Sequence, residues 1–141
     1  MIKYLSFIAL SLLPILSLAD SDIQTQISNE YGNCYRNFQE NVASCTLSTC
    51  NYPDLSDTKA WRAQVIRGFK GDQCYIVYYS YINDQILGSP DHCFYTREQM
   101  RILSNLYKSV FNDSSLITVS DSKAKINGLN LEVCKKLDEI Q

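Results

Sequence analysis

The sequence has no uninterrupted run of twenty apolar residues, no block of like charge, no Cys-x-x-Cys and a single histidine. Without roughly 20 consecutive apolar residues a chain has no spanning helix to offer. With 13 Lys and Arg spread among 15 Asp and Glu, the formal charge of −2 lacks the concentrated positive footprint of a nucleic-acid binder, so DNA and RNA are not expected partners. A dithiol oxidoreductase normally uses Cys-x-x-Cys, whose spacing lowers one thiol pKa and lets the second resolve the mixed disulfide. His92 would have to serve any Ser-His-Asp or Cys-His arrangement, and no Gly-x-Ser-x-Gly elbow supplies a serine nucleophile. Gly68-x-x-Gly71 is too short for a phosphate cradle, lacks the Lys-Ser/Thr that follows one, and suits a hairpin instead.

What is present begins with an address. Met1-Ile2-Lys3 carries one positive charge, Tyr4 to Leu16 is apolar, and Ser17-Leu18-Ala19 sets small residues at −3 and −1 of a cut before Asp20. This predicts a cleaved signal peptide over residues 1–19. A transmembrane anchor is disfavoured, because the apolar run spans thirteen to sixteen residues and is broken by Pro14. Cleavage leaves 122 residues with a formal charge of −3, enough for one domain over 20–141.

Cys34, Cys45, Cys50, Cys74, Cys93 and Cys134 all lie beyond the cut. An even count in an exported domain of this size reads as three disulfides, with fifteen pairings open. A zinc site competes poorly, since Cys45-x4-Cys50 has no second close pair. No metal or cofactor is expected.

Apolar side chains recur every three or four residues at Ile23, Ile27, Tyr31, Cys34, Phe38 and Val42, predicting a helix from Asp22 to Ala43 with Gly32 as a weak point. A short strand is expected within Cys45 to Asp54, ended by Pro53. Trp61 to Phe69 alternates, with Trp61, Ala63 and Val65 on one side and Arg62, Gln64 and Ile66 on the other. Cys74 to Ile82 is the return strand, apolar or aromatic on both faces and therefore central. A brief strand at His92 to Tyr95 precedes a capping box, Thr96-x-x-Gln99, and a helix from Arg97 to Phe111. Leu116 to Val119 is read as a strand, and Asn130 as the cap of a last helix carrying Val133, Cys134, Leu137 and Ile140. The sum is an α+β fold: a small antiparallel sheet packed with two or three helices on one face and stapled by disulfides.

A carboxylate pair drawn from Asp54, Asp57, Asp72, Asp84 and Asp91 is the remaining hydrolytic option, although all five sit in expected turns, where solvated aspartates ordinarily occur. The unusual feature is aromatic density: Trp61, Phe69, Tyr75, Tyr78, Tyr79, Tyr81, Phe94 and Tyr95. One buried sheet face hides about half of such a set. Trp61, Arg62, Arg67, Phe69, Tyr75, Tyr79 and Tyr81 have the composition of a protein-binding hot spot; the competing reading packs the rings beneath the helices. Asn112-Asp113-Ser114 matches the glycosylation sequon, relevant in a eukaryotic producer.

Cys45 and Cys50, Pro53, Val65-Ile66-Arg67-Gly68-x-x-Gly71-Asp72-x-Cys74 and Cys93-Phe94-Tyr95 before a helix together resemble uncharacterised small exported bacterial proteins with an Ile-x-Gly-x-x-Gly-x-Cys hairpin. The resemblance spans about fifty residues, and this hairpin has one residue more between its second glycine and Cys74. It implies a bacterial, periplasmic setting. It also implies that Cys34 and Cys134 lie outside a four-cysteine core and pair with each other. The expected function is a non-enzymatic, periplasmic or secreted module that binds another protein of the cell envelope, as an accessory of a larger assembly. The alternative is a secreted inhibitor or effector acting through the Gly68 to Asp72 loop on a hydrolase or host factor.

Overall fold

A computed structural model describes Thr25 and residues 34–53, 59–113 and 115–136. The expected signal peptide, Ile23 to Gly32 of the first expected helix apart from Thr25, Asp54, Asp57, Ser114, Leu137 and Ile140 lie outside the described residues. The elements in chain order are α1 (Tyr35–Ser44), β1 (Ser48–Pro53), β2 (Ala60–Lys70), β3 (Gln73–Ile82), β4 (Gln85–Ile86), β5 (Asp91–Tyr95), α2 (Arg97–Asn112), α3 (Leu116–Val133) and β6 (Cys134–Lys135).

The fold is α+β, with six antiparallel strands ordered β1-β2-β3-β5-β6 and β4 joined to the end of β3. The central place of β3 follows from its composition, since Cys74, Ile76, Val77 and Tyr79 give both faces apolar surface. Cross-strand partners share a face, so the register sorts the side chains. Ile66, Ile76, Cys93 and Cys134 lie in one row toward the helices, and Val65, Val77, His92 and Lys135 lie in the next, facing away.

Helices cover only the first of these faces among the described residues. Phe38 and Val42 of α1, Met100, Leu103, Tyr107 and Val110 of α2, and Val119 and Ile126 of α3 close over Cys50, Ile66, Cys74, Ile76, Cys93 and Tyr95. Phe38 meets Tyr107 edge-on at 5.1 Å. The start of α2 is fixed by the expected capping box: Gln99 N–H donates to Thr96 Oγ1, and Thr96 N–H donates to Gln99 Oε1.

Three expectations are corrected. Leu116 to Val119 is not a strand but the first turn of α3, whose leading N–H groups are met by Ser115 as N-cap. Asn130 is accordingly interior to that helix rather than its cap, and Cys134 leaves the helix to enter β6. The disulfides join Cys34 to Cys50, Cys45 to Cys74 and Cys93 to Cys134. Cys34 does not reach Cys134, because Cys134 is already directly opposite Cys93 in the β5–β6 register while Cys34 lies at the other edge, beside β1.

Candidate functional site

The face of the sheet turned away from the helices carries the largest group of partly exposed rings. Alternation in β2 and β3 puts Trp61 and Tyr81 in one cross-strand row, Ala63 and Tyr79 in the next, then Val65 and Val77, then Tyr75 near the hairpin end. The same alternation in β5 adds His92 and Phe94. Ala63 and Val77 are buried under these larger neighbours, 4% and 1% exposed, and form an apolar floor.

The rings stack in pairs. Trp61 and Tyr81 lie with centroids 3.8 Å apart and planes within 3°, and Tyr75 and Phe94 at 4.9 Å and 5°. Polar tips are tied down as well: Trp61 Nε1–H donates to Asp84 Oδ1 at 3.1 Å, Arg67 Nη2 donates to the Tyr79 hydroxyl at 3.3 Å, and the Tyr75 hydroxyl and His92 Nδ1 share a 2.6 Å hydrogen bond. Partial burial, then the neighbouring Tyr79, raise the Tyr75 hydroxyl above its ordinary pKa, with Arg67 opposing. Lys70 Nζ lies 4.3 Å from the Tyr75 ring centroid. Side chains held this way lose little further freedom when a partner arrives.

Of the seven residues expected to bind a partner, Trp61, Arg67, Tyr75, Tyr79 and Tyr81 share this face. Arg62 does not: it pairs with Tyr52 and Ser80, on the helix-bearing side. Phe69 pairs with Cys74 at the hairpin end, where the Arg97 guanidinium covers its ring at 4.8 Å. The aromatic side chains therefore divide between the two faces of the sheet. Tyr78 and Tyr95 go beneath the helices, with Tyr78 Oη 3.0 Å from Tyr95 Oη and the Tyr95 hydroxyl donating to Asn130 Oδ1 at 2.7 Å.

Phe94, His92, Lys70, Lys135 and Ile86 belong to the same face and were not in the expected set. Their signal is the alternation of His92-Cys93-Phe94, once Cys93 is known to bridge within the core. Ile86 follows from pairing with Tyr81 and is 53% exposed.

The described candidate carboxylates stay apart. Asp72 is at the β2–β3 turn and Asp84 at the opposite end of β3, while Asp91 is held by Lys136. No family model, characterised protein or solved structure matches the chain.

Proposed function

We propose that the chain is an exported, non-enzymatic protein-binding module of a bacterial cell envelope, an accessory part of a larger assembly, and that its partner docks on the helix-free face. The observation that carries this reading is the set of partly exposed rings on one sheet face, Trp61 stacked on Tyr81 with Tyr79 tilted beside it, and Tyr75 stacked on Phe94. The strand spacing sets these positions roughly 20 Å apart along β3 and about 10 Å apart across β2, β3 and β5. That suits the hot-spot core of an interface, which is a fraction of one partner's buried area.

Export is supported by the leader pattern of residues 1–19 and by the pairing of all six cysteines. Among the described residues no helix is long and apolar enough to cross a membrane. The hairpin gives the inhibitor alternative little to work with. Pairing continues to Lys70 and Gln73, leaving a two-residue turn, and Phe69, 41% exposed, has the Arg97 guanidinium over its ring.

The test is crosslinked recovery of the tagged protein from its own cell envelope and from the medium, with Trp61→Ala and Tyr79→Ala beside it. A stoichiometric envelope partner that both variants lose, with circular dichroism unchanged, is the expected result. Recovery mainly from the medium, with no envelope partner, overturns the reading.

A further inference from the structure

The helix-free face is also one-sided in charge. Arg67, Lys70 and Lys135 are exposed there, and the outward-facing positions of β1, β2, β3, β5 and β6 include no Asp or Glu. The described carboxylates at its margins lie in turns: Asp84, held by the Trp61 indole, beyond one end of β3, and Asp72 in the β2–β3 turn at the Lys70 end. On the helix-bearing side, by contrast, Arg101 pairs with Glu98, Lys125 with Asp121 and Lys136 with Asp91. Lys135 and Lys136 are neighbours in sequence, yet only Lys136 has a described ion-pair partner. In a chain of net charge −2, the described strand positions of the aromatic face thus carry basic residues and no acid.

We propose that the segment docking on this face is an acidic stretch of protein, its carboxylates over Arg67, Lys70 and Lys135 and its apolar side chains against Trp61 and Tyr81. This rests on the protein-binding reading above and names the chemistry of the partner. Charge complementarity of this kind sets specificity and association rate. A protein segment suits the face better than a nucleobase or sugar, because Trp61 is stacked on Tyr81 and Tyr75 on Phe94. Each ring has at least one face taken by a neighbour and offers its edge, to which side chains and backbone adapt.

Trp61 is the single tryptophan and lies within the patch, so its fluorescence reads the face directly. The experiment titrates the oxidised full chain with a random Glu-Tyr copolymer, with poly-L-lysine and dextran sulfate as comparators, at low and high salt. The copolymer is expected to change Trp61 emission, to weaken with salt, and to bind at least tenfold less tightly to Arg67→Glu/Lys70→Glu. Arg101→Glu, on the helix side, is expected to bind like the parent. Circular dichroism confirms that each variant is folded. No response to the copolymer, or equal binding by the double variant, overturns the proposal. Binding of dextran sulfate as tight as the copolymer makes the face a general polyanion site and overturns the commitment to protein; preference for poly-L-lysine reverses its sign. Should the copolymer fail while Trp61→Ala still loses its crosslinked envelope partner, the acidic chemistry is wrong and protein binding stands. Should no partner depend on Trp61, the protein-binding reading itself fails.

Discussion

Trp61 and Tyr81 face each other across β2 and β3 with ring centroids 3.8 Å apart, and Asp84 holds the indole N–H from the adjoining turn. That turn places Asn83 and Asp84 at φ 49° and 61°. Two consecutive positive φ values in a two-residue loop are the type I′ geometry, whose twist matches the flanking strands. Asp84 therefore does two jobs, and a pair of substitutions separates them. Asp84→Gly loses the acceptor and keeps the backbone, so it is expected to cost below about 1 kcal/mol. Asp84→Ala adds left-handed strain and is expected to cost about 1–2 kcal/mol more in urea denaturation. Equal stability of the two variants would show that the turn stores no such preference.

Gly68 is the second position where backbone conformation decides the residue. The β2–β3 register slips between Ile66 and Gly68, a bulge, and Gly68 has φ +88° with Leu47 Cδ2 only 3.2 Å from where a Cβ would sit. Gly68→Ala is expected to cost about 1–3 kcal/mol. Adding Leu47→Ala removes the crowding and not the φ strain, so a double-mutant cycle should return part of the loss. Complete recovery in the double variant would assign the whole cost to Leu47.

The strands were legible because their alternation is clean. Trp61, Ala63 and Val65 against Arg62, Gln64 and Ile66 is the division the register shows, and Thr96-x-x-Gln99 marked the start of α2. The helix α3 was not legible. Its buried positions are Val119, Ser122 and Ile126, so a serine stands where periodicity requires an apolar residue, while Ile117 and Leu131 are 82% and 85% exposed. The fate of each tyrosine was hidden for a related reason. Buried hydroxyls are tolerable only with partners, and those partners come from distant elements: Gln64 Nε2 donates to the Tyr52 hydroxyl at 3.0 Å, and the Tyr107 hydroxyl donates to Gln64 Oε1 at 3.3 Å. No local pattern announces that Gln64 faces the core or that Asn130 receives Tyr95.

The disulfides should differ in what they contribute. Their sequence separations are 16 for Cys34–Cys50, 29 for Cys45–Cys74 and 41 for Cys93–Cys134. Chain entropy alone makes these worth about 3, 3.6 and 4 kcal/mol. Paired Cys→Ala replacement is therefore expected to destabilise in that order, with the last also releasing β6, which has two residues. Denaturation midpoints of the three double variants check the order. A non-reducing peptide map checks the pairing itself, and any bridge from Cys34 to Cys134 would contradict it.

Alkaline stability follows from the tyrosines under the helices. Burial, and then the neighbouring Tyr95, push the Tyr78 hydroxyl well above the ordinary value near 10. Burial likewise raises Tyr95, with its hydrogen bond to Tyr78 opposing. In the unfolded chain both titrate near 10. Below that pH folded and unfolded chains hold the same protons, so the contribution is complete. Above it the unfolded chain releases protons first, and stability falls by up to about 1.4 kcal/mol per pH unit for each tyrosine until the folded pKa is reached. Urea denaturation at pH 8, 10 and 11, with brief exposure to spare the disulfides, should show this decline, and absorbance at 295 nm should show the last tyrosinates appearing together with unfolding. Tyr95→Phe removes one of the two groups and is expected to decline less steeply, although it starts from a lower stability because Asn130 Oδ1 loses its donor. Parallel declines in parent and variant would mean that the Tyr95 hydroxyl ionises without unfolding the protein, and that the pair is open to water in the folded state.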